Sequence, residues 1–268
     1  PRRGQFVLFD KCARSLVRHM LLPMPSAHTK GVLVSPTIFG NLLAGPTAED
    51  LPLDDPEATH TTVEGIRKVM EGGSRLVNGL TQQPVIATYA GARCACNQGS
   101  YMIRYNDGAP GVVTVTGVRS TGLTTSNSLA RYLVDGMQKE LGLELFSDTV
   151  ALNARPESAW PGWWRRPFED GVSDARADHG CAVCFCEVIS EGEIRDALDS
   201  PIRPRTMDAL KRRTRALMGR CQGFDCKVPL AELVSGHTGI GIEQLTNNGP
   251  GSELVAPGQT VCPKEVSV

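Results

Sequence analysis

The sequence predicts an α+β fold in two parts, a strand-rich first half with interspersed helices and a small helical part rich in cysteine. Three observations predict it. Short apolar runs dominate the first half: Gly4 to Asp10, Lys30 to Ser35, Pro84 to Ala90, Tyr101 to Tyr105 and Val112 to Val118. Two stretches, Thr61 to Leu80 and Ser126 to Lys139, instead repeat apolar residues every three to four positions. That spacing makes one stripe of a helix, whereas short apolar runs bounded by glycine and proline read as strands. The third observation is two close cysteine pairs, Cys184-Phe185-Cys186 and Cys221-Gln222-Gly223-Phe224-Asp225-Cys226, separated by thirty-four residues.

Composition narrows the class. A chain of 268 residues with 41% hydrophobic content holds one large or two modest packed domains. The net charge of -1 gives no global electrostatic footprint for nucleic acid or a membrane surface. Nine cysteines without a signal-peptide pattern favour a reducing compartment and ligand cysteines over a disulfide framework. A cytoplasmic protein, or one peripheral to the inner membrane, is expected. No run of eighteen apolar residues predicts a transmembrane segment.

Taken in order, Gly4 to Asp10 opens the sequence as a strand. Lys30 to Ser35 and Asn41 to Pro46 flank the turn Pro36 to Gly40 and read as a hairpin. Residues 47–60 read as loop. Thr61 to Leu80 is a helix capped by Thr61 or Thr62, with Val63, Ile66, Val69, Met70, Val77 and Leu80 on its core stripe. Pro84 to Ala90 and Tyr101 to Tyr105 are strands. Val112 to Val118 is a buried strand, followed by a glycine-rich turn, Gly117 to Gly122, and the helix Ser126 to Lys139, with Leu129, Leu133 and Met137 on one face.

A strand, glycine turn and helix place free backbone N–H groups and the positive end of a helix dipole at whatever the turn touches. Thr121, Thr124, Thr125 and Ser126 add hydroxyls there, and Arg119 adds a cation. An ordinary strand-to-helix connection has the same pattern. Asn153 to Phe168, with Trp160, Trp163 and Trp164, reads as a linker that packs through its tryptophans. Ser190 to Leu198 starts a helix, Met207 to Arg220 is strongly basic, and the glycine-rich stretch after Val234 reads as a loosely ordered tail.

The cysteines carry the chemistry. Thiolate is a soft ligand that selects iron–sulfur clusters or zinc, and two close pairs supply the four sulfurs of such a centre. Zinc pairs commonly have two to four intervening residues, so the single residue between Cys184 and Cys186 is tight for zinc. Zinc, or four buried unligated thiols, stays open on spacing alone. His179, near Cys181, is a further candidate donor.

Two resemblances extend this reading. Cys184-Phe185-Cys186-Glu187, Gly192-Glu193-Ile194 and Lys211-Arg212-Arg213-Thr214-Arg215-Ala216, running on through Met218-Gly219-Arg220-Cys221-Gln222-Gly223 to Cys226, resemble the 2Fe-2S domain related to bacterioferritin-associated ferredoxin. This implies that Cys184, Cys186, Cys221 and Cys226 hold a 2Fe-2S cluster. Gly4 to Lys11, Gly40 to Ala48, Tyr89 to Arg93 and Gly117 to Thr124 resemble the C-terminal half of the FAD-dependent oxidoreductase family that includes D-amino-acid oxidase and glycerol-3-phosphate dehydrogenase. The implied fold is a mixed-sheet substrate domain joined to the last strand–helix unit of an FAD-binding domain at about 111–140. The implied division is 1–145 for this half, 146–175 for a linker, 176–235 for the 2Fe-2S domain and 236–268 for a tail.

The resemblance also implies roles. Gly117, Arg119, Ser120, Thr121, Gly122, Leu123 and Thr124 close over the flavin. Arg93 lies in the substrate pocket and binds an anionic group, to which its planar fork of donors is suited. The implied activity is a dehydrogenase acting on glycerol 3-phosphate or a small 2-hydroxy acid, with electrons leaving through the cluster to a quinone or redox protein. No Gly-x-Gly-x-x-Gly fingerprint for the FAD pyrophosphate occurs in the chain, and Gly236 to Gly241 does not supply one. The expectation is a piece of a longer protein, or a subunit whose partner chain completes the flavin site. The family's Leu-Arg-Pro is Ala92-Arg93-Cys94 here. Two other classes compete: a zinc-stabilised interaction module and a non-catalytic iron–sulfur electron-transfer subunit.

Overall fold

The structure, a computed structural model, describes residues 1–26, 30–52, 55, 58–96, 101–144 and 176–256. The linker residues 146–175 with their tryptophans, and Cys262, lie outside the described residues. The chain forms two compact units, Pro1–Asp148 and Thr149–Val268.

The first unit is built on strand β1 (Arg2–Phe9). It pairs antiparallel with β3 (Leu42–Gly45), β4 (Glu49–Asp50) and β5 (Val85–Arg93), and β3 pairs with β2 (Leu33–Pro36). The α+β class holds, and the strand pairings among the described residues are antiparallel. Strand alternation turns Gln5, Val7 and Phe9 to the same face, and all three are fully buried. Helix α1 (Val63–Ser74) covers that face, and Val34, Leu42, Ala44, Val69, Val77 and Leu80 complete the core.

One buried polar side chain fixes this packing. The Gln5 side-chain carbonyl accepts from Thr62 N at 2.7 Å, and its amide donates to Glu49 Oε1 and Thr62 Oγ1, each at 3.0 Å. Thr62 then caps α1 by accepting from Gly65 N. A Cβ on Gly65 would stand 2.0 Å from the Gln5 amide nitrogen, so the helix approaches this closely only with glycine there.

Several boundaries differ from the sequence reading. Helix α1 stops at Ser74, six residues early. Gly73 lets Leu80 fold back onto the helix, where a Cβ would lie 2.7 Å from Leu80 Cδ2, and Gly79 turns the chain at φ 77°. Val77 and Leu80 therefore reach the core from the following turn, and Val63 is 89% exposed at the first helical position. The segment 47–60 contains the short strand β4. Strands β6 (Met102–Tyr105) and β7 (Val113–Thr116) form a separate antiparallel hairpin, and β7 is half-buried rather than buried. Helix α2 (Gly122–Leu141) starts four residues before the expected Ser126 and has no buried side chain.

The second unit has a tight core. Hairpin β8 (Ala182–Cys184) and β9 (Ile189–Ser190) leads into α3 (Glu191–Leu198). Ser190 and Glu193 form a reciprocal capping box at the start of α3. Helices α4 (Met207–Thr214) and α5 (Lys227–Thr238) follow, and Ile189, Ile194, Leu198, Met207, Leu210, Leu230 and Val234 pack together. The loosely ordered tail expected from 236 does not hold for residues 236–256. Helix α5 runs on to Thr238, and Leu245 enters the core. Thr246 and Asn247 carbonyls accept from Met207 N and Asp208 N, each at 3.0 Å. These are first-turn donors of α4 with no acceptor inside the helix, so the segment has a hydrogen-bonding reason to stay in place.

Candidate functional site

The second unit brings its four paired cysteines into one site. Cys184 ends β8, Cys186 sits in the turn to β9, Cys221 lies in the loop after α4, and Cys226 directly precedes α5. All four are free thiols. Cys184 and Cys226 are 1% exposed, and Cys186 and Cys221 are half-buried. The thiols interact across the loops, Cys186 with Cys221 and Cys184 with Cys226. The sulfurs of Cys186 and Cys221 and a carboxylate oxygen of Asp225 all lie within 4.8 Å of one another.

Local backbone geometry makes this convergence possible. Val188, Leu217 and Gln222 adopt left-handed φ values of 55°, 70° and 53°, and Gly223 adopts 87°. Non-glycine residues seldom do so, and such conformations gather at sites held by their surroundings. Gly219 permits the closest approach: a Cβ there would stand 2.2 Å from Cys186 Cβ.

Backbone N–H groups are directed at the sulfurs, those of Asp225 and Gly223 at Cys221 and that of Leu217 at Cys226. The Asp225 N–H chiefly lowers the pKa of Cys221, because it stabilises the thiolate. Burial, with the neighbouring Cys184 adding to it, pushes Cys226 up to about 12. Several thiols packed in a dry site resist ionising together, and a cationic centre removes that penalty. A four-sulfur donor set with N–H groups aimed at the sulfurs fits an iron–sulfur cluster.

The neighbouring candidates do not join the group. His179 is buried with Nε2 3.0 Å from Asp196 Oδ2, and Asp196 is also held by Arg176. Cys181 is exposed, and its backbone groups bond Asp178 and Glu191. Two features were missed by the sequence reading. A carboxylate oxygen of Asp225 lies beside the Cys186 and Cys221 sulfurs, and its place next to Cys226 was the available signal. Glu187 and Arg215 form a buried ion pair at 3.0 Å, and nothing in their twenty-eight-residue separation points to it.

In the first unit, Arg93 closes β5. Its guanidinium donates to the backbone carbonyls of Thr47 at 2.7 Å and Arg3 at 3.5 Å, and Nε is buried with no partner among the described residues. Burial, then the charge of Arg2, lowers its pKa, although it stays a cation at any ordinary pH.

The segment 117–124 turns with Gly117 at φ 72° and Arg119 at φ 56°, and Arg119 N donates to Cys94 O at 2.9 Å. Thr121 precedes α2 without capping it, and its Oγ1 lies 2.6 Å from the Tyr101 hydroxyl. Gly122, Leu123 and Thr124 form the first turn of the helix rather than a loop before it. The hydroxyls of Thr125 and Ser126 donate to Thr121 O and Leu123 O.

The chain belongs to the FAD dependent oxidoreductase family, whose model matches residues 1–136. Residues 182–235 match the BFD-like 2Fe-2S binding domain. The chain is similar to the glycerol 3-phosphate dehydrogenase of Caloramator mitchellensis, 34% identical over 258 residues, which cover 95% of this chain and 52% of that protein. It is also similar to one of the subunits of the anaerobic glycerol-3-phosphate dehydrogenase of Escherichia coli K12, 23% identical, covering 87% and 47% of the two chains. The dithionite-reduced L-alpha-glycerophosphate oxidase of Mycoplasma pneumoniae with FAD bound aligns with a TM-score of 0.47 and 28% identity, over 55% of this chain and 38% of that one. The chain spans about half the length of the curated relatives it matches most fully.

Proposed function

We propose that this chain is the C-terminal portion of an FAD-dependent dehydrogenase that oxidises a CH–OH group and passes electrons to a 2Fe-2S cluster. The convergence of Cys184, Cys186, Cys221 and Cys226 carries this reading, in a chain whose first half belongs to a flavin-dependent family. The substrate is glycerol 3-phosphate, as the names of the relatives support, or else a small 2-hydroxy acid. The division of the chain is 1–145, 146–175 and 176–235 in their expected roles, with residues 236–256 packing onto the core of the third part instead of forming a loose tail.

When bound, FAD would accept hydride from the hydroxyl-bearing carbon and the cluster would carry the electrons away singly. The chain's own residues bind and orient. Arg93 meets the substrate's phosphate or carboxylate with a guanidinium aligned by the Thr47 and Arg3 carbonyls. Gly117 to Thr124 set the N-terminal end of α2, together with the Arg119 charge, against negative charge on the flavin. The thiolates of Cys184, Cys186, Cys221 and Cys226 would hold the iron, and the N–H groups of Leu217, Gly223 and Asp225 would draw charge from the sulfurs.

A partner chain, or further sequence, supplies the pyrophosphate-binding part, and a quinone or redox protein takes the electrons. The E. coli relative is named as one chain of a larger enzyme, which supports a multi-chain assembly here. No described helix is long and apolar enough to cross a membrane, which suits the cytoplasmic or membrane-peripheral placement. Flavin and iron assays on the protein purified without oxygen test the reading. Flavin with iron and sulfide supports it, and iron and sulfide with no flavin under any partner leaves an electron-transfer subunit. Stoichiometric zinc leaves an interaction module.

A further inference from the structure

We propose that the buried ion pair Glu187–Arg215, by balancing charge beside the cluster, helps set its reduction potential. This rests on the reading that the four thiols hold an iron–sulfur centre.

The pair sits at the junction of the two loops. Glu187 directly follows Cys186, and Arg215 opens the loop that runs to Cys221. The Arg215 Nε donates to Glu187 Oε2 at 3.0 Å, and the two side chains are 10% and 2% exposed. Arg215 has φ 70° just beyond α4, and Val188, next to Glu187, has φ 55°. Each end of the pair is thus anchored by a left-handed, non-glycine backbone, which persists only where the surroundings over-determine it. Arg212, close by, behaves differently: it is exposed and pairs with Asp208 along the same helix.

A buried pair is a poor device for stability alone, because apolar residues of similar size commonly do as well, while removing one partner leaves a charge without compensation. Beside a redox centre that asymmetry has a sign. Reduction adds negative charge to the cluster, and net charge around a cluster is one of the levers on its potential. An unbalanced Arg215 cation favours the reduced form, and an unbalanced Glu187 carboxylate opposes it.

The test is redox titration of the full-length protein with its cluster, followed by visible absorption and electron paramagnetic resonance. Glu187→Gln is expected to raise the midpoint potential and Arg215→Gln to lower it, and the charge-neutral double variant E187Q/R215Q to return close to the parent value. Each single variant is also expected to lose its cluster to a chelator faster, by up to about a hundredfold, since breaking a buried pair is strongly destabilising. Arg212→Gln serves as the exposed control and leaves the potential in place. Shifts of the same sign in both single variants, or none, overturn the proposal. If neither single variant holds a cluster, the double variant decides: a cluster at the parent potential supports the charge-balance account, and loss of the cluster there too assigns the pair to the fold and overturns it. A parent protein that binds zinc and no iron instead refutes the underlying reading, an outcome distinct from any of these.

Discussion

The two units solve the problem of placing reactive groups in opposite ways. In the second, every donor comes from residues 184–226, and the core that packs Ile194, Leu210 and Leu230 also buries Cys184 and Cys226. Site and core are one object there. In the first, the core lies between β1 and α1, whereas Arg93 ends a strand at its margin and Gly117 to Thr124 lead into a helix with no buried side chain. Leu123 is 91% exposed in its first turn. A thiolate centre needs its ligands fixed by the fold itself, whereas on the proposed reading the exposed segment Gly117 to Thr124 is the surface offered to the flavin.

Substitutions break or sharpen this contrast, beginning with the largest effect. Replacing Cys226 with Ser should abolish the visible absorption of the cluster, whereas Cys181→Ser should leave it intact, because Cys181 stands outside the sulfur group. Gly219→Ala comes next. Its Cβ would collide with Cys186, so the loops must part, with a loss of about 1–3 kcal/mol in chemical denaturation and a lower iron content per chain.

In the first unit, Gln5→Ala removes the bridge between β1, Glu49 and Thr62 and leaves buried polar groups unmatched. Denaturation followed by circular dichroism should show a loss of about 1–3 kcal/mol while iron content is kept, since Gln5 lies in the other unit. Ser190→Ala, which opens the capping box of α3, should cost about 1 kcal/mol by the same assay with the absorption spectrum unchanged in shape. Equal iron loss in the Gln5 and Gly219 variants would contradict the independence of the cysteine site from the core of the first unit.

What the sequence made legible follows the same division. The cysteine spacing is a local signal, since all four donors lie within one compact stretch, and Ser190 to Leu198 read as a helix start, with its capping box seen only in the structure. The β2–β3 hairpin was readable from its glycine and proline punctuation. The end of α1 was not, because apolar periodicity ran past Ser74 into residues that reach the core from a turn, and Gly73 and Gly79 decide the break through packing that sequence does not display. The ion pair of Glu187 and Arg215 needs two non-glycine left-handed residues to form, and no propensity scale points to them. The packing of residues 239–254 was hidden because glycine-rich composition reads as loose, while the open N–H groups of α4 gave those residues acceptors' work to do.

The most direct measurement is iron, acid-labile sulfide and zinc in the protein purified without oxygen, read together with its visible spectrum. Two irons and two sulfides per chain, with the broad absorption of a thiolate-held cluster that disappears in Cys226→Ser, are the predicted result. A colourless protein carrying one zinc per chain, or iron that survives the loss of Cys226, would contradict it.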